Sequence, residues 1–231
     1  MQNSDEWEPP PLLDRVRKPD VGRAWSEKVR QWYRDNAEIA AAWDEANAMV
    51  EEARERGRQE LEAWKRVRDS GMSERAVTAY AQRLTETPST KAVERLMGSS
   101  KTFLLLMGSP GCGKTLGTAL AFAQRPGLFV RALELARLSS FDRDDRQRLC
   151  QVQRAPLLVL DDLGAEMLHD GWRPVLDELI DIRWGDRLKT ILTTNLDGDA
   201  FKARYGARIA DRIRDDGFIE KVGDKSRRGG Q

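Results

Sequence analysis

Between the apolar run TFLLLM, ending at Met107, and the helix-forming run KTLGTALAFAQ stands GSPGCGKT, Gly108 to Thr115. A buried strand, a glycine-rich turn and a helix opening on Lys-Thr leave this segment one economical shape, a strand that reverses through a tight loop into a helix. The stretch satisfies G-x-x-x-x-G-K-[ST] at every fixed position. Gly108, Gly111 and Gly113 let the backbone curl so that its N–H groups point inward at phosphate oxygens. The start of the helix adds its partial positive charge. Ser109, Pro110 and Cys112 complete the loop and Leu116 follows it into the helix. Lys114 is expected at the β- and γ-phosphates, and the Thr115 hydroxyl at Mg²⁺. A chance lysine after a glycine-rich turn would need neither flank. Cys112 occupies a variable position and reads as inert.

A second apolar run, LLVL at 157–160, ends in Asp161 and Asp162. A buried carboxylate costs several kcal/mol unless it is paired or bound to a cation. A strand ending in an acid, about 45 residues past a phosphate loop, is where a Mg²⁺-facing carboxylate is wanted, and Asp161 is assigned to it. Asp162 is then placed to orient or deprotonate a water attacking the γ-phosphate. Glu166 is the fallback base, or a structural acid.

From Lys101 onward strands and helices alternate: TFLLLM, GLFVRA, LLVL and KTILTTN as strands, with helices between them. That pattern predicts an α/β fold of P-loop type, a parallel sheet flanked by helices with active loops at the strands' carboxyl ends. Residues 1–98 have a different texture, with 19 acidic and 17 basic residues and no cysteine. Residues 1–24, with Pro9, Pro10 and Pro11, read as a loose arm, and 25–98 as a helical partner-binding region ahead of an ATPase domain over 99–223. Positions 29, 32, 36, 39, 43, 46, 50, 53, 57, 60, 64 and 67 step by three and four and are mostly apolar, a seam along one helix face. One continuous helix there would reach roughly 60 Å, so breaks are expected at Asn36 and Gly57. Tryptophans 25, 32, 43 and 64 suit packing between helices, and also partner anchors or base-stacking platforms. Ser73 starts a shorter helix, Thr87-Pro88-Ser89-Thr90 breaks it, and KAVERLM forms another up to Gly98.

The net charge of +1 gives no general attraction to nucleic acid, although the segment from Lys202 onward holds nine Lys/Arg against five Asp/Glu. Residues 224–231 read as a basic flexible tail. Cys112 and Cys150 fit neither a disulfide framework nor a zinc site. No apolar run approaches the length of a membrane span and the first residues do not form a signal peptide, so no membrane partner and a cytoplasmic location are expected.

The phosphate loop, LVLDDLGAE, TTNL and YGARIADRIRD occur in this order and together resemble the AAA+ ATPases of the DnaC and IstB group, the replicative-helicase loaders and transposase-helper ATPases. The resemblance covers about 101–222. It implies that Asn195 is the polar sensor beside the γ-phosphate, although Asn195 also suits a turn cap. It implies that Arg208, or Arg212 one turn later, is an arginine finger acting on a neighbour's ATP; the alternative is a surface ion pair with Asp215 or Asp216. Self-association through the ATP site follows from a finger that acts in trans. After FIEKV nine residues remain, too few for a C-terminal helical lid, so a lid arginine is absent or replaced by Arg227 or Arg228.

The function so implied is ATP-dependent loading of a replicative, DnaB-type DNA helicase, with slow hydrolysis stimulated by DNA or partner and with contact to single-stranded DNA. Arg131, Arg137 and Arg143 are candidate DNA contacts or ordinary exposed arginines. The alternatives are a transposition helper on duplex DNA and a nucleotide-gated interaction protein in which Asp162 is too short to be an efficient base. A small-molecule kinase would need a dedicated acceptor pocket, and the arginine-rich last helix points toward a subunit interface instead.

Overall fold

The computed structural model describes residues 27–82, 86–138, 142–167 and 171–223. The expected arm over 1–24, Trp25, the tail over 224–231 and its Arg227 and Arg228 lie outside these residues.

The chain divides into two compact units, one through Gly57 and the other from Arg58. The first holds α1 (Glu27–Asp35) and most of α2 (Ala37–Asp69). The break at Asn36 is slight: its side-chain amide donates to the Trp32 carbonyl at 3.0 Å, while Ala40 N–H still donates to the Asn36 carbonyl at 2.9 Å. The break expected at Gly57 does not occur, because α2 runs straight through it. A glycine inside a helix costs only about 1 kcal/mol, and the Glu, Arg and Ala residues around it outweigh that. Along the seam Trp32, Ile39 and Val50 stay exposed, and Leu61 beside it is exposed too.

The second unit is built on a five-stranded parallel sheet of order β2-β3-β4-β1-β5. Its strands are β1 (Phe103–Met107), β2 (Leu128–Arg131), β3 (Leu157–Leu163), β4 (Lys189–Thr194) and β5 (Gly217–Lys221). Four match the expected runs. The fifth, an edge strand on β1, was not anticipated, since Gly217–Lys221 alternates too weakly to announce a strand. It is seated by close approach: a Cβ on Gly217 would lie 2.8 Å from that of Phe103.

The central strands present alternate residues to two cores. Phe103, Leu105 and Met107 face α8 (Trp172–Gly185), α9 (Gly198–Tyr205) and α10 (Ala207–Asp215) through Trp172, Leu176, Phe201 and Ile209. Leu104 and Leu106 face α4 (Pro88–Met97) and α5 (Lys114–Gln124) through Val93, Leu96, Ala119 and Phe122. The period-2 alternation of a strand makes this division inevitable once both faces are covered. The short α6 (Ala132–Leu135) and α7 (Arg143–Arg154) follow β2. Among the described residues no helical lid follows β5, and no helix is long and apolar enough to cross a membrane.

The division of the chain falls elsewhere than at 98–99. Val67 from the end of α2, Met72, Ala76 from α3 (Glu74–Ala81) and Ala92, Val93 and Leu96 from α4 are buried in the same core as β1 and α5. α3 has already ended at Ala81, and the expected breaker Thr87-Pro88-Ser89-Thr90 instead starts α4, with Thr87 as its cap and Pro88 to Thr90 in its first turn. The Thr87 hydroxyl accepts from Thr90 N–H at 3.1 Å while Thr90 Oγ1 accepts from Thr87 N–H at 2.8 Å, and Pro88 takes the first helical position. An amphipathic stripe records that a helix has a buried face, not which surface covers it.

Two buried cations hold the far end of the sheet. Arg183, fully buried, donates to Thr190 Oγ1 and to the carbonyls of Val152, Gln153, Ala155 and Lys189 at 2.8–3.1 Å. Burial pulls its pKa down to about 9, which leaves it protonated at neutral pH. The Lys189 ammonium donates to the carbonyls of Leu96, Ser99 and Lys101 at 2.6–3.1 Å.

Candidate nucleotide site

The loop between β1 and α5 takes the curled form that its glycines permit. Gly111 and Gly113 have φ of 82° and 96°, a region closed to most side chains. Gly108 is required for space, because a Cβ there would meet the Val222 carbonyl at 2.2 Å. Val222 N–H donates to the Met107 carbonyl at 2.7 Å, so the end of β5 braces the loop from one side. Ser109 and Pro110 form its outer turn, and Cys112 is buried beneath it.

Lys114 is buried, and its ammonium donates to the Gly108 carbonyl (2.6 Å), the Ser109 carbonyl (3.0 Å) and Asn195 Oδ1 (2.8 Å), with Cys112 Sγ at 3.7 Å. Thr115 Oγ1 donates to Asp161, 3.0 and 3.2 Å from the two carboxylate oxygens. Leu116 is half-buried in the second core.

Adjacent strand residues normally face opposite sides of a sheet, which would separate Asp161 from Asp162. A bulge resolves this. Leu160 pairs with Leu192 and Leu163 with Thr194, so three steps on β3 match two on β4. Asp162 takes up the extra residue with φ 61°, and Gly164 follows at 107°. Ala165 N–H closes the turn on the Asp162 carbonyl at 3.1 Å. The two acids then enter one network. Asp161 Oδ1 accepts from Thr193 Oγ1 at 2.7 Å, and the same Thr193 oxygen accepts from Asp162 N–H at 2.9 Å. Asp162 Oδ1 accepts from Asn195 Nδ2 at 3.0 Å. Asn195 thus bridges Lys114 and Asp162 just beyond β4, whose last residue, Thr194, donates to the Leu163 carbonyl.

Burial raises the Asp161 carboxyl pKa above its ordinary 3.8, adjacent Asp162 adds to the rise, and bonds from Thr193 and Thr115 and the Lys114 charge oppose it. A hydroxyl and a buried carboxylate side by side are the hard oxygen donors that Mg²⁺ prefers, and phosphate oxygens commonly complete such a shell. The donor set therefore fits a Mg²⁺–nucleotide pair. Among the described residues no group of three or more His, Cys, Asp or Glu offers an all-protein metal site.

Glu166 is not placed as a base. It is buried and accepts from Gly164 N–H, the Trp172 indole, Arg204 and the Tyr205 hydroxyl, which leaves it a structural acid. On α10 the Arg208 side chain is exposed, whereas Arg212 is half-buried with its guanidinium 5.5 Å from the centre of the Trp184 ring. Neither meets Asp215 or Asp216; both pair instead with Asp177 and Asp181 of α8. The i to i+4 spacing of each pair on two facing helices produces that match, which local sequence cannot show. Arg131, Arg137 and Arg143 are exposed. Thr193 and the Glu166 partners Gly164, Trp172, Arg204 and Tyr205 are network residues to which the sequence alone assigns no role. The consecutive Thr193-Thr194 at a strand end just before Asn195 is the hint of the first.

Residues 12–228 match the family model of the IstB-like ATP binding protein. The chain belongs to that family. It is an AAA+ P-loop protein of the ATP-binding kind. Among solved structures it is similar to the DnaC helicase loader, at 25% identity with a TM-score of 0.55, over 65% of this chain and all of that one. It is also similar to DnaI, at 27% identity and a TM-score of 0.49, over 60% of this chain and 81% of that one. The replication initiator DnaA bound to AMPPCP and single-stranded DNA aligns at 16% identity and a TM-score of 0.50, over 62% and 48% of the two chains. No curated protein matches.

Proposed function

We propose that this protein is an ATP-dependent loader of a replicative, DnaB-type helicase that hydrolyses ATP slowly and contacts single-stranded DNA. The observation that carries the reading is the likeness to the DnaC helicase loader over all of that chain, joined to a site whose donors suit ATP. In this reading the N–H groups of the loop after Gly108, Pro110 apart, cradle the phosphates and Lys114 leaves its loop carbonyls for the β- and γ-phosphates. Thr115 and Asp161 would hold Mg²⁺, which supplies charge neutralisation on the phosphates when bound. Asp162, oriented by Asn195 and by the bulge, takes the proton of the attacking water or aims it. Asn195 also senses the γ-phosphate. Arg208 leaves Asp177 and Asp181 to act on a neighbouring subunit's ATP, so self-association completes the site. The exposed seam of α1 and α2, with Trp32, Ile39 and Val50, is the surface that would hold the helicase.

The match to the IstB-like family favours one second reading, a transposition helper acting on duplex DNA. One experiment separates the two. ATP hydrolysis is measured alone, with single-stranded DNA and with duplex DNA, and complex formation with a hexameric replicative helicase is followed by gel filtration. The loader predicts stimulation by single strands and a helicase complex. Stimulation by duplex alone with no helicase complex would overturn it in favour of the helper.

A further inference from the structure

The turn that carries Asp162 is anchored at one further point. Glu166 Oε2 accepts from Gly164 N–H at 2.9 Å. Its other oxygen, Oε1, takes the Tyr205 hydroxyl at 2.6 Å, the Trp172 indole N–H at 3.2 Å and Arg204 Nε and Nη2 at 3.3 and 3.2 Å. Arg204 also donates to the Glu166 backbone carbonyl. The two oxygens therefore have separate duties. Oε1 is held by α8 and α9, while Oε2 holds the amide that lies between Asp162 at φ 61° and the closing residue Ala165. We infer that Glu166 is a positioning residue for hydrolysis, fixing the left-handed turn at Asp162 from the framework of α8 and α9. The inference rests on the reading of Asp162 as the group acting on the attacking water.

The donor arithmetic explains why a carboxylate is needed. All partners of both oxygens approach with N–H or O–H groups, so both ends must accept. A glutamine satisfies only one end. With its oxygen toward Tyr205 and Arg204, its NH₂ meets the Gly164 N–H head on. With the amide turned over, the NH₂ faces the indole N–H and the guanidinium. Either way the turn or its anchor loses a bond, although size and shape are preserved.

The test compares wild type, Glu166→Gln, Asp162→Asn and Val152→Ala, the last a core truncation on α7 outside the site. Single-turnover hydrolysis and affinity for a fluorescent ATP analogue are measured well below each variant's unfolding midpoint. Glu166→Gln is expected to slow hydrolysis roughly tenfold or more with nucleotide affinity within about twofold, while Val152→Ala changes neither per folded molecule. If Glu166→Gln hydrolyses at the wild-type rate, or if Val152→Ala slows it equally, the inference is overturned. An unchanged rate in Asp162→Asn instead overturns the underlying reading of the site. Should Glu166→Gln fail to fold, hydrogen exchange in the wild type decides. The Gly164 amide is expected to be protected like those of β3, and exchange at an open-loop rate refutes the anchor.

Discussion

Replacing Thr193 with Val removes a single oxygen and disturbs both acids at once. The hydroxyl donates to Asp161 at 2.7 Å and accepts the Asp162 amide at 2.9 Å, and Thr193 is 1% exposed. Water has no route to either partner through that position. A hydrogen bond to a charged group contributes about 1.5–3 kcal/mol, and a buried amide left unpaired costs about 1–3 kcal/mol. The two losses share one atom and do not add fully, so about 3 kcal/mol is expected for Thr193→Val. With a urea dependence of about 2–3 kcal/mol per molar for a domain of this size, the unfolding midpoint should fall by roughly 1 M at pH 7 without Mg²⁺. Thr193→Ser keeps the oxygen and should lose less than about 1 kcal/mol. The deficit should also shrink as pH falls through the Asp161 pKa, because a protonated carboxyl needs the donor less. A midpoint shift below about 0.2 M, or one independent of pH, would refute the idea that Thr193 holds the acids together.

Burial raises the Asp161 pKa above 3.8, so the folded state keeps a proton that the unfolded chain has released; that stabilisation is full below about pH 4 and is lost as pH rises through the folded pKa. Without Mg²⁺, urea midpoints of Asp161→Asn should therefore gain on wild type as pH rises from about 4, and a pH-independent gap would contradict the assignment. Arg183→Met strands several buried carbonyls and should cost at least about 3 kcal/mol in a urea melt, whereas a loss under about 1 kcal/mol would show that water replaces the guanidinium. Arg208→Ala, at a side chain 60% exposed, should change stability by less than about 1 kcal/mol yet lower hydrolysis by roughly a hundredfold, and mixing it with Asp162→Asn should restore activity if the arginine acts in trans. No recovery on mixing, with both proteins assembled, would place the arginine's effect within its own subunit.

The parts legible in the sequence are those whose cause is local. A glycine-rich turn between a strand and a helix fixes its own path, and Gly108, Gly111 and Gly113 sit where space or positive φ demands them. The run ending in Asp161 is a strand for the same reason that any apolar run of four is, and the sheet brings Thr115 to it across 46 residues. What escaped is set by pairing across space. Nothing near Asp162 says that β3 bulges there, since the bulge is visible only against β4. The alternative reading of Arg208, an ion pair with Asp215 or Asp216, drew on its neighbours in sequence, whereas the facing helix offers Asp177 and Asp181. The helices before Gly98 announce buried stripes but not their cover, so the boundary drawn at 98 cut through a shared core. Gly57 misled because a helix tolerates one glycine when its neighbours favour helix.

The most direct test of the account concerns Asp162, the residue on which the bulge, Asn195 and Glu166 converge. ATP affinity and single-turnover hydrolysis would be measured for wild type and Asp162→Asn with Mg²⁺ present and the same DNA. The account predicts wild-type affinity with hydrolysis reduced at least about a hundredfold. Hydrolysis at the wild-type rate would contradict it, and the group acting on water would have to be sought elsewhere than at the end of β3.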